Sequence, residues 1–529
     1  MFVNPAQLEG VPKEKERYRK RSFSSTKVTR FAPAPDAGHT SVPSRLPNCG
    51  KKGYNAHDLM CPQTISPPKR RFPKGSDREI GPLTDWDREW LWHPFTQMGD
   101  WVREDFLIIE SAKGCYLKDI HGRRYLDGVS SLWCNVHGHR VKKLDRAIKA
   151  QLQNVAHSTF LGLSNVPAIR LAKKLVTVVP RGLKRVFYSD SGSEAVEIAL
   201  KMSYQYWQRQ GEPARTKFVC LTNAYHGDTI GAVSVGGISL FHEAYRPLLF
   251  DVIRVEAPHR YRDEFEGSEE EYANVSAKRL EAVLKKHHRQ TCALVMEPLM
   301  QGAAGMIRQP AGYVARAREL TKKYNVLLIL DEVATGFGRT GKMFASDHES
   351  VTPDIMCVAK GLSGGYLPLA ATVTTEEVYR AFLGRYDEFK TFFHGHTFTA
   401  NPLACAAALA NLEWFEEDRT LEKLKPKIQF LTQELERFKK LEHVGDIRQA
   451  GFMVGLELVS NRAAKTPYEW SEKIGIRIAN EAQRRGVIIR PLGNVVVLMP
   501  PLAISIRELA RLLKVVHQSI QAVTERSSA

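Results

Sequence analysis

Three kinds of side chain, set at suggestive intervals along this sequence, could handle an amine, a ring nitrogen and a phosphate. Lys360 closes the apolar run Ile355-Met-Cys-Val-Ala359 and enters a glycine-rich turn, Gly361-Leu-Ser-Gly-Gly365. Stiff strand backbone would hold a lysine there at the rim of a cleft, where desolvation lowers its pKa and makes it a nucleophile for a carbonyl. The plainer use of such a lysine is a solvated charge. Asp331 lies 29 positions earlier, directly after Val326-Leu-Leu-Ile-Leu330. A carboxylate at the end of a buried strand is costly without a partner, and in open α/β sheets the carboxyl ends of strands are where ligands sit. A protonated ring nitrogen would be such a partner; capping a helix is the alternative.

An anion cradle is readable at Ser189-Asp-Ser-Gly192-Ser193-Glu194, between a strand and a helix marked by Ala195, Ile198, Ala199, Met202 and Tyr206 at amphipathic spacing. Free amides and the positive end of the helix dipole would fall at Gly192 and Ser193. Tyr225, in Ala224-Tyr-His-Gly227 after the strand-like Phe218–Leu221, could stack on an aromatic ligand or simply pack in the core. In Phe393-His-Gly-His-Thr-Phe398, the histidines at i and i+2 invite a zinc site, but no Cys or acidic cluster stands nearby in sequence to complete one, so no metal is expected. Thr397 as a phosphate ligand is the better use of that loop. Arg490 ends the run Val487-Ile-Ile489 and suits bidentate capture of a carboxylate, or plain surface exposure.

The elements that must position these residues follow from periodicity. Short apolar runs at Arg185–Tyr188, Phe218–Leu221, Ala293–Met296, Val326–Leu330 and Ile355–Val358 alternate with helical stretches, predicting an α/β core with a largely parallel sheet. Beyond about residue 415 a helix (Leu421–Phe438), a strand pair near Ile447 and over Phe452–Leu458, a helix (Tyr468–Arg485) and a strand (Val495–Met499) predict a smaller α+β part.

Composition bounds the rest. The 529 residues are 43% hydrophobic and 25% charged, enough for two or three domains. No apolar stretch approaches the roughly 20 residues of a membrane helix. Eight scattered cysteines without a CxxC pair fit reduced thiols in a cytosol. The net charge of +18 could signal nucleic acid, but residues 1–80 carry 16 Lys and Arg against 7 Asp and Glu, half the excess. That leader also holds 10 of the 27 prolines and lacks amphipathic periodicity, so it is expected to be disordered. A transit peptide, a nucleic-acid-binding arm and an extension without function are its three readings, with order expected from about Pro82.

Taken together and in this order, the segments resemble the class III aminotransferases of pyridoxal-phosphate fold type I. Leu327-Leu-Ile-Leu-Asp331-Glu-Val-Ala-Thr-Gly-Phe-Gly-Arg339-Thr-Gly341, followed by Lys360, carries the resemblance. Trp92-His-Pro-Phe95-Thr-Gln-Met98, Asp190-Ser-Gly-Ser193, Tyr225-His-Gly-Asp228, His394-Gly-His-Thr397 and Arg490-Pro491 narrow it to the subgroup acting in biotin biosynthesis. The resemblance implies pyridoxal 5'-phosphate held by Lys360 and Asp331, with Gly192, Ser193, Tyr225 and Thr397 around it. It implies the keto acid 8-amino-7-oxononanoate as acceptor, contacted by Phe95, Trp133, Gly395 and Arg490. S-adenosylmethionine is the expected donor and lysine the alternative. It further implies a homodimer in which Thr397 serves the other copy's phosphate, and no nucleic-acid or membrane partner. Ornithine, 4-aminobutyrate and amine:pyruvate aminotransferases share the lysine motif and stay open as readings. On that plan residues 81–140 and 411–529 build the small domain and 141–410 the large cofactor-binding one.

Overall fold

The computed structural model describes residues 80–263 and 265–525. The leader expected over residues 1–80 lies outside them, except that Ile80 begins the helix Ile80–Trp90. Among the described residues the largest sheet has seven strands, in the order Leu183–Ser189, Ala370–Thr375, Ile355–Val358, Leu327–Asp331, Thr291–Met296, Lys217–Leu221, Ile253–Val255. Only Ala370–Thr375 runs against its neighbours.

The continuous apolar runs are explained by burial on both faces, as helix-covered parallel sheets require. Alternate residues go to opposite sides. Cys220, Val295, Ile329 and Cys357 pack in the core that also holds Ala195, Ile198, Ala199 and Met202 of the helix Gly192–Arg209. Val219, Leu294, Leu328 and Leu330 pack with Leu280 and Leu284 of Glu269–His287 and with Tyr313 and Ala317 of Tyr313–Lys323. Every strand of this sheet but Ala370–Thr375 therefore points its carboxyl end the same way.

Segments far apart in sequence meet in a second sheet, where Arg124–Asp127 pairs in parallel with Val487–Ile488. A third carries Val444–Ala450, Met453–Asn461, Val495–Leu498 and Arg490–Leu492. The apolar run ending in Arg490 is thus divided between two sheets, Val487–Ile488 in one and Arg490–Leu492 in the other. The helix expected over Tyr468–Arg485 is shorter, Ile474–Arg484, because Lys473 adopts a left-handed backbone (φ 48°) after a short turn at Trp470–Glu472. The boundary expected between residues 410 and 411 falls inside the helix Pro402–Glu417.

Candidate active site

Five candidate side chains follow the carboxyl ends of five strands and line one cavity of about 710 Å³: Ser193, Tyr225, Glu297, Asp331 and Lys360. Lys360 follows Ile355–Val358 in a left-handed conformation (φ 44°), and its Nζ stands 5.0 Å from the ring centre of Trp133. Burial lowers the Lys360 amine below its ordinary range, against the opposing charges of Asp331 and Glu297. An amine whose neutral form burial favours is what a nucleophile and proton carrier needs.

Asp331 is buried at the end of its strand. One carboxylate oxygen accepts from the amide of Val333 at 3.0 Å, and the other lies 2.7 Å from His226 Nδ1, which donates to it. Burial alone would disfavour the imidazolium of His226, but the hydrogen bond and charge of Asp331, with Glu297 beyond, raise its pKa above the usual value. Glu332, one residue on, points away from the cavity and accepts from the amides of Ala345 and Ser346 at 3.0 and 2.8 Å. The alternation of a strand thus assigns one carboxylate to the site and its neighbour to scaffolding.

At the cradle, Ser191 caps the helix Gly192–Arg209 in a reciprocal box with Glu194, whose carboxylate accepts from the amides of Asp190 and Ser191. That leaves the amides of Gly192 and Ser193 for an anion. Space there is tight: a Cβ on Gly192 would lie 2.6 Å from Val333 Cγ1, and one on Gly227 2.4 Å from Ser193. Ser193 Oγ is engaged with Thr229, whose amide donates to it at 3.0 Å.

Tyr225 lines the cavity half-buried, its hydroxyl donating to Asp228 at 2.7 Å; burial, then that contact, raise its pKa. Its ring meets Phe241 edge-on at 6.3 Å, and Phe241 in turn meets Phe95 at 5.3 Å, so Phe95 reaches the site through another ring. Trp133 also lines the cavity. It ends four successive left-handed residues, Ser130 to Trp133 (φ 52°, 54°, 98°, 66°), a turn held by Asp127, which accepts from the Val129 amide and the Ser131 hydroxyl.

Glu297 and His226 line the same cavity, and the motif reading gave neither a role. Glu297 accepts from the amides of Tyr225 at 3.1 Å and Gly302 at 2.8 Å, and burial, reinforced by the charge of Asp331, pushes it up to about 7. The signal that singled out Asp331, a carboxylate straight after an apolar strand, applies equally to Glu297 after Ala293–Met296.

Thr397, Gly395, Phe95 and Arg490 are all exposed and do not line the cavity of Lys360. The reason given for discounting a metal at the His394 loop needs correcting: His396 lies near Asp190 and Glu194, distant in sequence and close in space. Glu194 is nevertheless committed to the helix cap.

The donor set suits pyridoxal phosphate: an amine for its aldehyde, a braced carboxylate for its ring nitrogen, and two free amides too closely walled for larger residues. The sequence matches the family Aminotransferase class-III over residues 98–520. This chain belongs to the class III aminotransferases. The aminotransferase is 54% identical over 448 residues to the adenosylmethionine-8-amino-7-oxononanoate aminotransferase of Nitratidesulfovibrio vulgaris, covering 84% of this chain and 83% of that one. It superposes on the crystal structure of the enzyme so named from Methanocaldococcus jannaschii with a TM-score of 0.80 at 47% identity, covering 84% and 99% of the two chains. The omega transaminase from Pseudomonas jessenii in complex with PMP gives a TM-score of 0.80 at 32% identity over 84% and 98%.

Proposed function

We propose that this aminotransferase transfers an amino group from S-adenosylmethionine to 8-amino-7-oxononanoate, giving 7,8-diaminononanoate for biotin biosynthesis in the cytoplasm. The single observation that carries transamination is Lys360 and Asp331 lining one cavity that opens onto the amides of Gly192 and Ser193. The relatives' names support the acceptor and donor. No helix among the described residues is long and apolar enough to cross a membrane.

Pyridoxal phosphate, when bound, supplies an electron sink for the charge left on a substrate carbon. Lys360 would hold its aldehyde, and the amides of Gly192 and Ser193 its phosphate. Asp331, braced by His226, keeps a proton on the ring nitrogen. With a substrate amine in place, Lys360 Nζ would carry the proton from the amino-bearing carbon to the carbon that had been the cofactor's aldehyde, a task suited to an amine with a lowered pKa. Tyr225 and Trp133, both lining the cavity, would exclude water from it. In a homodimer, the exposed Thr397 and Gly395 would serve the second copy's cavity, and Arg490 would meet the acceptor's carboxylate.

The test is a spectrophotometric assay of the purified enzyme with 8-amino-7-oxononanoate, given S-adenosylmethionine or lysine in separate cuvettes. Diamine formed only with S-adenosylmethionine is the expected result, and diamine formed only with lysine transfers the donor assignment. Turnover of amine and pyruvate without any of the oxononanoate would overturn the acceptor in favour of an ω-aminotransferase.

A further inference from the structure

A second cavity among the described residues is larger than the one holding Lys360. It is a cleft of about 1250 Å³ between the strands Ile109–Lys113 and Tyr116–Asp119, the start of the helix Lys142–Asn154, the turn joining the helices Pro402–Glu417 and Thr420–Leu435, and the loop at Leu502. Nine Lys or Arg residues line it against three Asp or Glu, an excess of six positive charges. Some of these cations are already neutralised: Lys143 pairs with Glu413 and Glu417, and Lys423 with Asp418. Lys113, Arg124, Arg140, Lys142 and Arg146 have no ion-pair partner among the described residues.

Like charges gathered in one concave wall repel each other unless a counter-charge enters, and the concavity focuses their field. Two further features border the same space. The thirteen-residue helix Lys142–Asn154 begins in the cleft with Val141 at its N-cap; the Val141 amide donates to Tyr366 and Asp145 stands in the first turn, but no side chain caps the amides of Lys142 and Lys143, which lie at the positive end of the helix dipole. His137, which also lines the cleft, is more than nine-tenths buried, yet its Nε2 has no hydrogen-bond partner. Burial holds His137 neutral, so it adds no charge to the wall. The aromatic rings of Tyr116 and Trp414 complete the wall.

We propose that this cleft is a second ligand site, separate from the Lys360 cavity, that binds a polyphosphate-bearing small molecule of nucleotide size. Five unpaired cations call for several negative charges on one molecule, and Lys and Arg with helix amides are the usual phosphate partners. The volume leaves room for a base beside the phosphates.

Calorimetric titration of the cofactor-loaded enzyme with sodium tripolyphosphate, and separately with ATP, tests this at constant ionic strength balanced with chloride. The loaded enzyme is used so that the cradle at Gly192 is filled. One ligand per chain is expected, with the visible absorbance of the cofactor unchanged. The double variant Lys113→Gln, Arg146→Gln should bind about ten-fold or more weakly while keeping its melting temperature and transamination rate. Tighter binding of ATP than of tripolyphosphate would mean that the base also contributes; equal binding would mean that the phosphate chain suffices. Absence of binding, equal binding by the double variant, or uptake that bleaches the cofactor would overturn the proposal.

Discussion

Replacing His226 with Phe isolates the pair on which the ring-nitrogen contact depends. Both partners are buried, and the substitution keeps a flat ring while removing the Nδ1 donor that stands 2.7 Å from Asp331. Asp331 would keep one protein donor, the amide of Val333. A hydrogen bond to a charged group contributes about 1.5–3 kcal/mol. At 1.36 kcal/mol per factor of ten, its loss corresponds to roughly 10- to 150-fold. That loss should fall jointly on pyridoxal-phosphate affinity, read by absorbance titration of the cofactor-free protein, and on the single-turnover rate with the amino donor. His226→Asn tests whether a shorter donor recovers part of it. A His226→Phe enzyme within about two-fold of the parent in both quantities, with its melting temperature intact, would refute the claim that His226 sets the charge and position of Asp331.

Lys360→Ala should abolish transamination while leaving the fold and phosphate-cradle binding in place, checked by turnover assay and cofactor titration. Gly192→Ala drives a Cβ to 2.6 Å from Val333, and overpacking of about 1–3 kcal/mol should weaken cofactor binding about ten-fold or more without moving the pH profile. Glu297 has a folded pKa of about 7 against an ordinary 4.5, so the folded state prefers its proton: its stabilising contribution is complete below 4.5 and is lost as pH rises toward 7. The raised His226 acts in the same direction. Melting of the cofactor-free protein should therefore fall across that window, and Glu297→Gln should flatten the fall. Asp127→Ala removes both side-chain acceptors of the left-handed turn before Trp133, and should raise KM for the keto acid more than it lowers kcat.

What could be read directly from the chain were features with local signals. Apolar runs of four to six residues mark the strands at 291, 327 and 355, because a doubly covered parallel strand cannot alternate. The residue after each run, Glu297, Asp331 or the nearby Lys360, sits where the chain leaves the sheet, so its placement at a cleft is a property of sequence position. Ser191 and Glu194, three apart, announce the helix whose amides form the cradle. Folding in three dimensions decided which strand ends are neighbours. The pairing of His226 with Asp331 spans 105 residues, and Trp133, at the end of the left-handed turn after Asp127, meets Lys360 across more than two hundred residues. The same holds for His396 beside Asp190 and Glu194, and for the division of Val487–Leu492 between two sheets. The physical reason is range: periodicity and turn chemistry act over a few residues, whereas the strand order 183, 370, 355, 327, 291, 217, 253 is selected by the total burial of all seven strands and their covering helices at once.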